Sequence, residues 1–256
     1  MRRLAICLAG AFLLAACVQE LAPGKRKIDP VASARDRVAL ANEYLRQGEN
    51  EKAQVQLKRA LELDSGSAEA HLMMAVLLER DGNIKGADKE YRKALSLRPD
   101  YAQGHNNYGI FLFRNGRYKK AMPQFEASAE DMGYENRAQA FEGLGRSAFK
   151  AGDMETAKRA FLRALKLDPG LAASTLGMGE LQYASGDYAQ ARVSYKRYLE
   201  LTSDSAQTAQ SLWLGIRLER QKGDRNALAS YELALKKLYP ASPEYTLYVE
   251  SLQAGK

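Results

Sequence analysis

The chain has 256 residues, a formal net charge of +7, 46% hydrophobic residues, two Cys and two His. So few soft ligands exclude a Cys/His metal cluster. The basic residues alternate with acids (Glu51-Lys52, Asp88-Lys89-Glu90, Glu155 with Lys158 and Arg159), which marks solvated helix faces rather than a nucleic-acid surface.

Met1-Arg2-Arg3 is a short positive segment, and Leu4 to Ala16 is apolar and ends in small residues. This is signal-peptide anatomy, too short and too poorly flanked for a membrane span. Leu14-Ala15-Ala16-Cys17 resembles the lipobox of bacterial lipoproteins, which implies cleavage before Cys17 and acylation of that residue. Ala15-Ala16 would also serve an ordinary signal peptidase, and the position of the cysteine decides for the lipobox. The expected layout is a signal peptide over 1–16, then acylated Cys17 and a flexible tether over 17–32. At roughly 0.8 kcal/mol per buried CH₂, three acyl chains anchor a protein essentially permanently. Cys7 leaves with the signal, so the mature chain has no partner for a disulfide. Val18 stands where Asp is the inner-membrane retention signal, and by that family rule the destination is the periplasmic face of the outer membrane. Losing Arg2 and Arg3 leaves 36 Lys and Arg against 31 Asp and Glu, a mildly basic mature protein. Lys25-Arg26-Lys27 reads as a solvated linker or as a contact with anionic headgroups.

Beyond the tether the chain repeats. Ala53, Ala87 and Ala121 are 34 apart; Ala157, Ala191 and Ala227 follow at intervals of 36, 34 and 36. Four residues after each comes a large side chain: Leu57, Tyr91, Phe125, Phe161, Tyr195, Tyr231. Twelve before each comes a small one: Ala41, Ala75, Gly109, Gly145, Gly179, Gly215. A glycine stands five before the first five alanines (Gly48, Gly82, Gly116, Gly152, Gly186) and slips by one to Gly223 in the sixth unit. Pro99, Pro169 and Pro240 fall near unit ends. These register-locked columns resemble the tetratricopeptide repeat family, with units at 34–67, 68–101, 102–135, 138–171, 172–205 and 208–241. The implied fold is all-α: a right-handed superhelical solenoid of six helix-turn-helix repeats spanning 33–253.

The columns have a physical reading. Each unit is two antiparallel helices, A and B, joined at a glycine able to take positive φ. Small residues let the helices close where they cross, and the large residue fills the adjoining gap. One hairpin cannot bury its apolar stripe alone, so neighbours stack. Ser242 as N-cap with Pro243 at the first helical position predicts a capping helix over 243–253.

Chemistry is hard to find. His71 and His105 are 34 apart in a helix-packing column, which favours structural roles over a metal pair. There is no nucleophile elbow, phosphate loop or dinucleotide fingerprint, so neither enzyme activity, cofactor nor small-molecule substrate is expected. Binding is expected on the A helices, which line the inner face of such solenoids. Reading their exposed register (second, fifth, ninth, twelfth and thirteenth positions) gives a candidate groove of Val38, Asn42, Leu72, Val76, Asn106, Ile110, Phe113, Arg114, Phe149 and Tyr183. Leu45, Leu176 and Glu180 fall in the same register. The fifth-position Lys of carboxylate-clamp repeats is absent, since Val38 and Leu72 stand there. An exposed apolar ladder edged by Arg marks a partner surface, although single members also suit packing between A helices.

The lipobox, short tether, six repeats and final helix together resemble the pilotin lipoproteins of type IV pili. The stretches that carry this are Asn106-Asn107-Tyr108-Gly109-Ile110-Phe111-Leu112, the tyrosines 183, 188, 195 and 198, and Leu212-Trp213-Leu214-Gly215-Ile216. Phe113 departs from the Cys common there. The resemblance implies a lipoprotein anchored in the outer membrane that binds secretin subunits of the pilus and promotes their localisation and multimerisation. The alternative is a repeat lipoprotein that scaffolds cell-wall synthesis enzymes or the outer-membrane protein insertion complex.

Overall fold

A computed structural model describes residues 29–203 and 207–254. The expected signal peptide, Cys17 and the Lys25–Lys27 cluster lie outside the described residues. The described residues form thirteen helices and no strand: α1 (Pro30–Arg46), α2 (Asn50–Leu63), α3 (Ala68–Arg80), α4 (Ile84–Leu97), α5 (Ala102–Arg114), α6 (Tyr118–Glu130), α7 (Arg137–Ala151), α8 (Met154–Leu167), α9 (Ala172–Ala184), α10 (Tyr188–Leu201), α11 (Ala209–Lys222), α12 (Arg225–Leu238) and α13 (Pro243–Ala254). They pair as six antiparallel hairpins, α1–α2 through α11–α12, with α13 packed on α11.

Local chemistry sets the helix ends. Inside each hairpin a glycine has φ between 69 and 85°, and the following N–H reaches back to a carbonyl five residues earlier, as Asn83 does to Leu78 and Asp153 to Ala148. That closes the exposed carbonyl end of helix A. Helix B then starts on a side-chain cap in several units: Asn83, Asp153, Asp187 and Asp224 each accept from a backbone N–H three residues on. Between units, Asp64, Asp131 and Asp168 accept from the glycine N–H two residues later. Helix α1 begins at Pro30, so three residues assigned to the tether are helical. The cause is the Asp29 side chain, which accepts from the Val31 N–H ahead of a proline in the first turn. The repeat register, counted from residue 34, carries no trace of that cap.

The crossing columns are buried as their chemistry requires. Ala41, Ala53, Ala75, Ala87, Ala121, Ala157 and Ala191 are inaccessible, and Leu57, Tyr91, Phe125, Phe161 and Tyr195 fill the gaps beside them. The sixth unit is looser, because α12 buries only Leu235 while α13 covers α11 through Trp213, Tyr245 and Tyr248.

Two further glycines complete this packing outside the repeat columns. A Cβ on Gly143 would come within 2.5 Å of the Phe125 ring, and one on Gly177 within 2.5 Å of Phe161. Each ring therefore lies between a glycine of its own helix A (Gly109 or Gly145, where a Cβ would come to 3.0 or 2.6 Å) and a glycine of the next.

The same geometry ranks substitutions. In Gly145→Ala the helix gains about 1 kcal/mol of propensity, but overpacking against Phe161 typically costs about 1–3 kcal/mol. We expect net destabilisation in urea melts, larger still for Gly145→Phe or Ala121→Phe. Gly179→Ala comes no nearer than 3.3 Å, to Leu214, with Ser194 and Ala191 at 3.5 and 3.6 Å, and is expected to be neutral or mildly stabilising. Exposed Lys89→Ala should be silent.

Candidate functional site

The A helices α5, α7 and α9 lie side by side, and the two seams between them open into adjoining clefts. The first, of about 420 Å³, lies between α5 and α7 and is lined by Asn106, Ile110, Phe113, Arg114, Gln139, Glu142 and Arg146. The second, of about 350 Å³, lies between α7 and α9 and takes in Phe113, Arg146, Phe149, Lys150, Leu176 and Glu180. Phe113 and Arg146 belong to both. Behind these side chains the clefts are backed by core rings, Phe125 against Gly143 in the first and Phe161 against Gly177 in the second, both almost fully buried.

The clefts are apolar below and charged above. The Arg146 guanidinium lies 4.8 Å from the Phe113 ring centroid, close enough for a cation–π contact. Arg114 reaches Glu79 of the preceding unit at 3.1 Å. The acids of the walls are engaged internally. Glu142 accepts from the Ser174 N–H at 2.9 Å and hydroxyl at 2.8 Å. Glu180 is only 6% exposed and accepts from Gln210 at 2.8 Å and from Arg217 at 3.4 Å. Arg217 in turn lies 4.7 Å from the Tyr183 ring and 5.3 Å from Trp213.

Burial raises the Glu180 carboxyl above its usual range, against the hydrogen bond from Gln210 and the charges of Arg217 and Lys150. Burial likewise lowers Arg217, with Glu180 opposing. Desolvation outweighs attraction for both members, so this pair is not a source of stability.

The expected groove residues scatter more than their register suggests. Asn106, Ile110, Phe113 and Arg114 gather in the first cleft, and Phe113 and Phe149 in the second. Val38 and Val76 are half-buried against the core, Asn42 is exposed, and none of the three reaches either cleft. Tyr183 packs tilted against Tyr188, with ring centroids 5.1 Å apart, and beneath Arg217. Leu72 is a correction: it is 0% exposed, within the central core beside Ala75, Ala87 and Tyr91. The fifth position sits at the seam between neighbouring hairpins, where an apolar side chain is drawn in while polar Asn106 and Glu142 keep an edge in solvent. Leu45, Leu176 and Glu180, read from the same register as exposed, are also buried. Gly143, Gly177 and Gln210, which also line the clefts, fall outside that register. The available signal was the sixth position, glycine in two successive units where the others carry Ala39, Met73, Asn107 and Trp213.

His71 and His105 make equivalent bridges. Each Nδ1 meets a helix-B side chain, Glu90 at 2.6 Å or Gln124 at 2.8 Å, and each Nε2 meets a loop carbonyl, of Ser65 or Pro99. Among the described residues no cluster of three His, Cys, Asp or Glu is placed to hold a metal, and no helix is long and apolar enough to cross a membrane.

The raised Glu180 carboxyl has a stability consequence. A group whose folded-state pKa lies above its unfolded value stabilises most below the unfolded pKa, and that contribution is lost as pH rises through the folded one. Glu180→Gln is therefore expected to gain stability relative to the parent as pH rises from about 4 to about 8. Urea melts at the two pH values check this; a constant difference would show that the pair carries no net desolvation cost.

The tetratricopeptide repeat family model matches residues 38–87, 72–140 and 142–206. The type IV pilus assembly protein PilF of Pseudomonas aeruginosa is 37% identical over 213 residues, 83% of either chain. A solved structure of Pseudomonas aeruginosa PilF superposes with a TM-score of 0.75 at 36% identity, over 89% of this chain and 99% of that one. The structure of PilW, described as a widely conserved type IV pilus biogenesis factor, gives 0.70 at 26% identity over 84% and 98%. The chain thus belongs to the tetratricopeptide repeat family and, within it, to the type IV pilus biogenesis factors of the PilF and PilW kind.

Proposed function

We propose that this pilus biogenesis factor acts as a pilotin: a lipoprotein, acylated at Cys17, that binds secretin subunits and promotes their multimerisation in the outer membrane. The observation that carries the reading is the likeness to PilF across 83% of both chains. The N-terminal Leu14-Ala15-Ala16-Cys17-Val18 supports an acyl anchor and outer-membrane sorting. The aromatic clefts of α5, α7 and α9 supply a surface for a protein segment rather than a reaction centre. A secretin subunit exposes apolar surface until it assembles, and a membrane-tethered protein with preformed apolar clefts can cover part of it. No catalytic role is proposed.

Two experiments test this. In Cys17→Ser the protein is expected to be folded and released from the membrane into the periplasmic fraction; wild-type fractionation with the outer membrane would mean that protein contacts hold it there. Ile110→Asp places a charge in the first cleft. Secretin is then expected to remain monomeric, with normal lipoprotein levels and no surface pili. Ile110 packs against the core on one side only, so a helical circular dichroism signal and a cooperative melt should persist. Leu72→Asp, by contrast, buries a charge and should unfold the second unit. Wild-type amounts of secretin multimers in folded Ile110→Asp would place binding elsewhere or refute the pilotin assignment.

A further inference from the structure

We infer that the two adjoining clefts take an extended partner segment whose large apolar side chains enter them and whose Asp or Glu residues meet Arg146 and Lys150. The inference deepens the proposed binding role of this face and rests on it. Charge decides the class of partner. Both acids of the walls already serve internal donors, Glu142 at Ser174 and Glu180 at Gln210 and Arg217. The bases do not balance in the same way. Among the described residues no carboxylate lies in ion-pair range of exposed Arg146 or Lys150, while Arg114 and Arg217 pair with Glu79 and Glu180. Neutral donors leave Glu142 charged, but Arg114, Arg146, Lys150 and Arg217 against Glu79, Glu142 and Glu180 still leave one positive charge in excess over the clefts. It favours an anionic segment in encounter and opposes a basic one.

Shape decides the form of the partner. One small molecule fills one cleft, but these two share Phe113 and Arg146 and run along the stacking direction of α5, α7 and α9. A chain crossing them meets half-buried apolar side chains twice, Ile110 and Phe113 in the first cleft and Phe113 and Phe149 in the second, with Arg146 between. The amides of Asn106 and Gln139, on facing walls of the first cleft, each offer a donor and an acceptor, and Gln210 of the second, whose amide nitrogen serves Glu180, adds an acceptor. That is what the N–H and C=O groups of an extended backbone require. Aromatic residues beside Arg are also the side chains that most often dominate binding energy at interfaces.

The test uses the full-length chain in detergent micelles and a random heptapeptide display library. Selection on the wild type is expected to enrich peptides that combine Phe, Leu, Ile or Tyr with Asp or Glu. Their fluorescent versions should bind Arg146→Glu/Lys150→Glu roughly tenfold more weakly, since two attractive charges become repulsive ones. Both side chains are exposed, so the melt of that variant should match the parent. Enrichment of basic peptides, of uncharged apolar peptides or of none, or equal affinity in the double variant, would overturn the inference. Secretin multimers counted in cells separate it from the pilotin reading. Weakened peptide binding with normal multimers in Arg146→Glu/Lys150→Glu upholds the cleft chemistry and refutes the secretin as its occupant. Multimers lost in Ile110→Asp while no acidic peptide binds uphold the pilotin reading and refute this inference.

Discussion

The contact on which the middle of the molecule depends is an aromatic ring lodged between two glycines of successive A helices. Phe125 lies between Gly109 and Gly143, and Phe161 between Gly145 and Gly177. One ring thereby sets both the crossing inside its hairpin and the approach of the next. Close packing makes this a rigid constraint, because an added methyl at any of the four glycines has nowhere to go without moving a ring held on its other face. The same rings, held against those glycines, back the two clefts. Stacking and binding surface are thus linked: the contacts that bring the units together also fix the backs of both clefts.

The repeat scaffold was legible because it is periodic. Six alanines and six large residues recur in register, five glycines keep theirs and a sixth stands one place late, and each column corresponds to a single packing requirement that is nearly independent of sequence elsewhere. The groove was less legible. Exposure along an A helix depends on the neighbouring hairpin, and one register position therefore holds buried Leu72, half-exposed Asn106 and hydrogen-bonded Glu142. Gly143 and Gly177 occupy a column that is glycine in only two units, which a search for six-fold recurrence passes over. The start of α1 escaped for the opposite reason, since the Asp29 cap is a local device outside any repeat.

Polar groups also tie the C-terminal units together. Ser174 at the start of α9 donates twice to Glu142 on α7, and Glu180 on α9 accepts from Gln210 and Arg217 on α11. Arg217 is then held over Tyr183 and Trp213. Earlier units use exposed staples in the same place, with Arg114 reaching Glu79 and Arg80 the Leu45 carbonyl. Exposed staples contribute little to stability, and the buried pair costs desolvation on both members. Hydrophobic stacking must therefore supply most of the stability, while the buried polar contacts fix how α9 sits relative to α7 and α11.

That division bears on how a binding face of this kind works. Clefts framed by immovable rings and by hydrogen-bonded acids are formed before any partner arrives, so the ordering cost of association falls on the partner segment. A short extended segment loses backbone entropy of about 1–2 kcal/mol for each residue fixed, and two apolar side chains entering the clefts must more than offset it. Burying one such side chain contributes about 1.5–3 kcal/mol. The balance for a segment of a few residues is slender, and affinity then depends on charge at the rim and on effective concentration. A membrane anchor would raise that concentration for a partner bound for the same membrane. Weak, preformed clefts on a tethered protein suit a partner that must be held while it is exposed and released once assembly covers the segment.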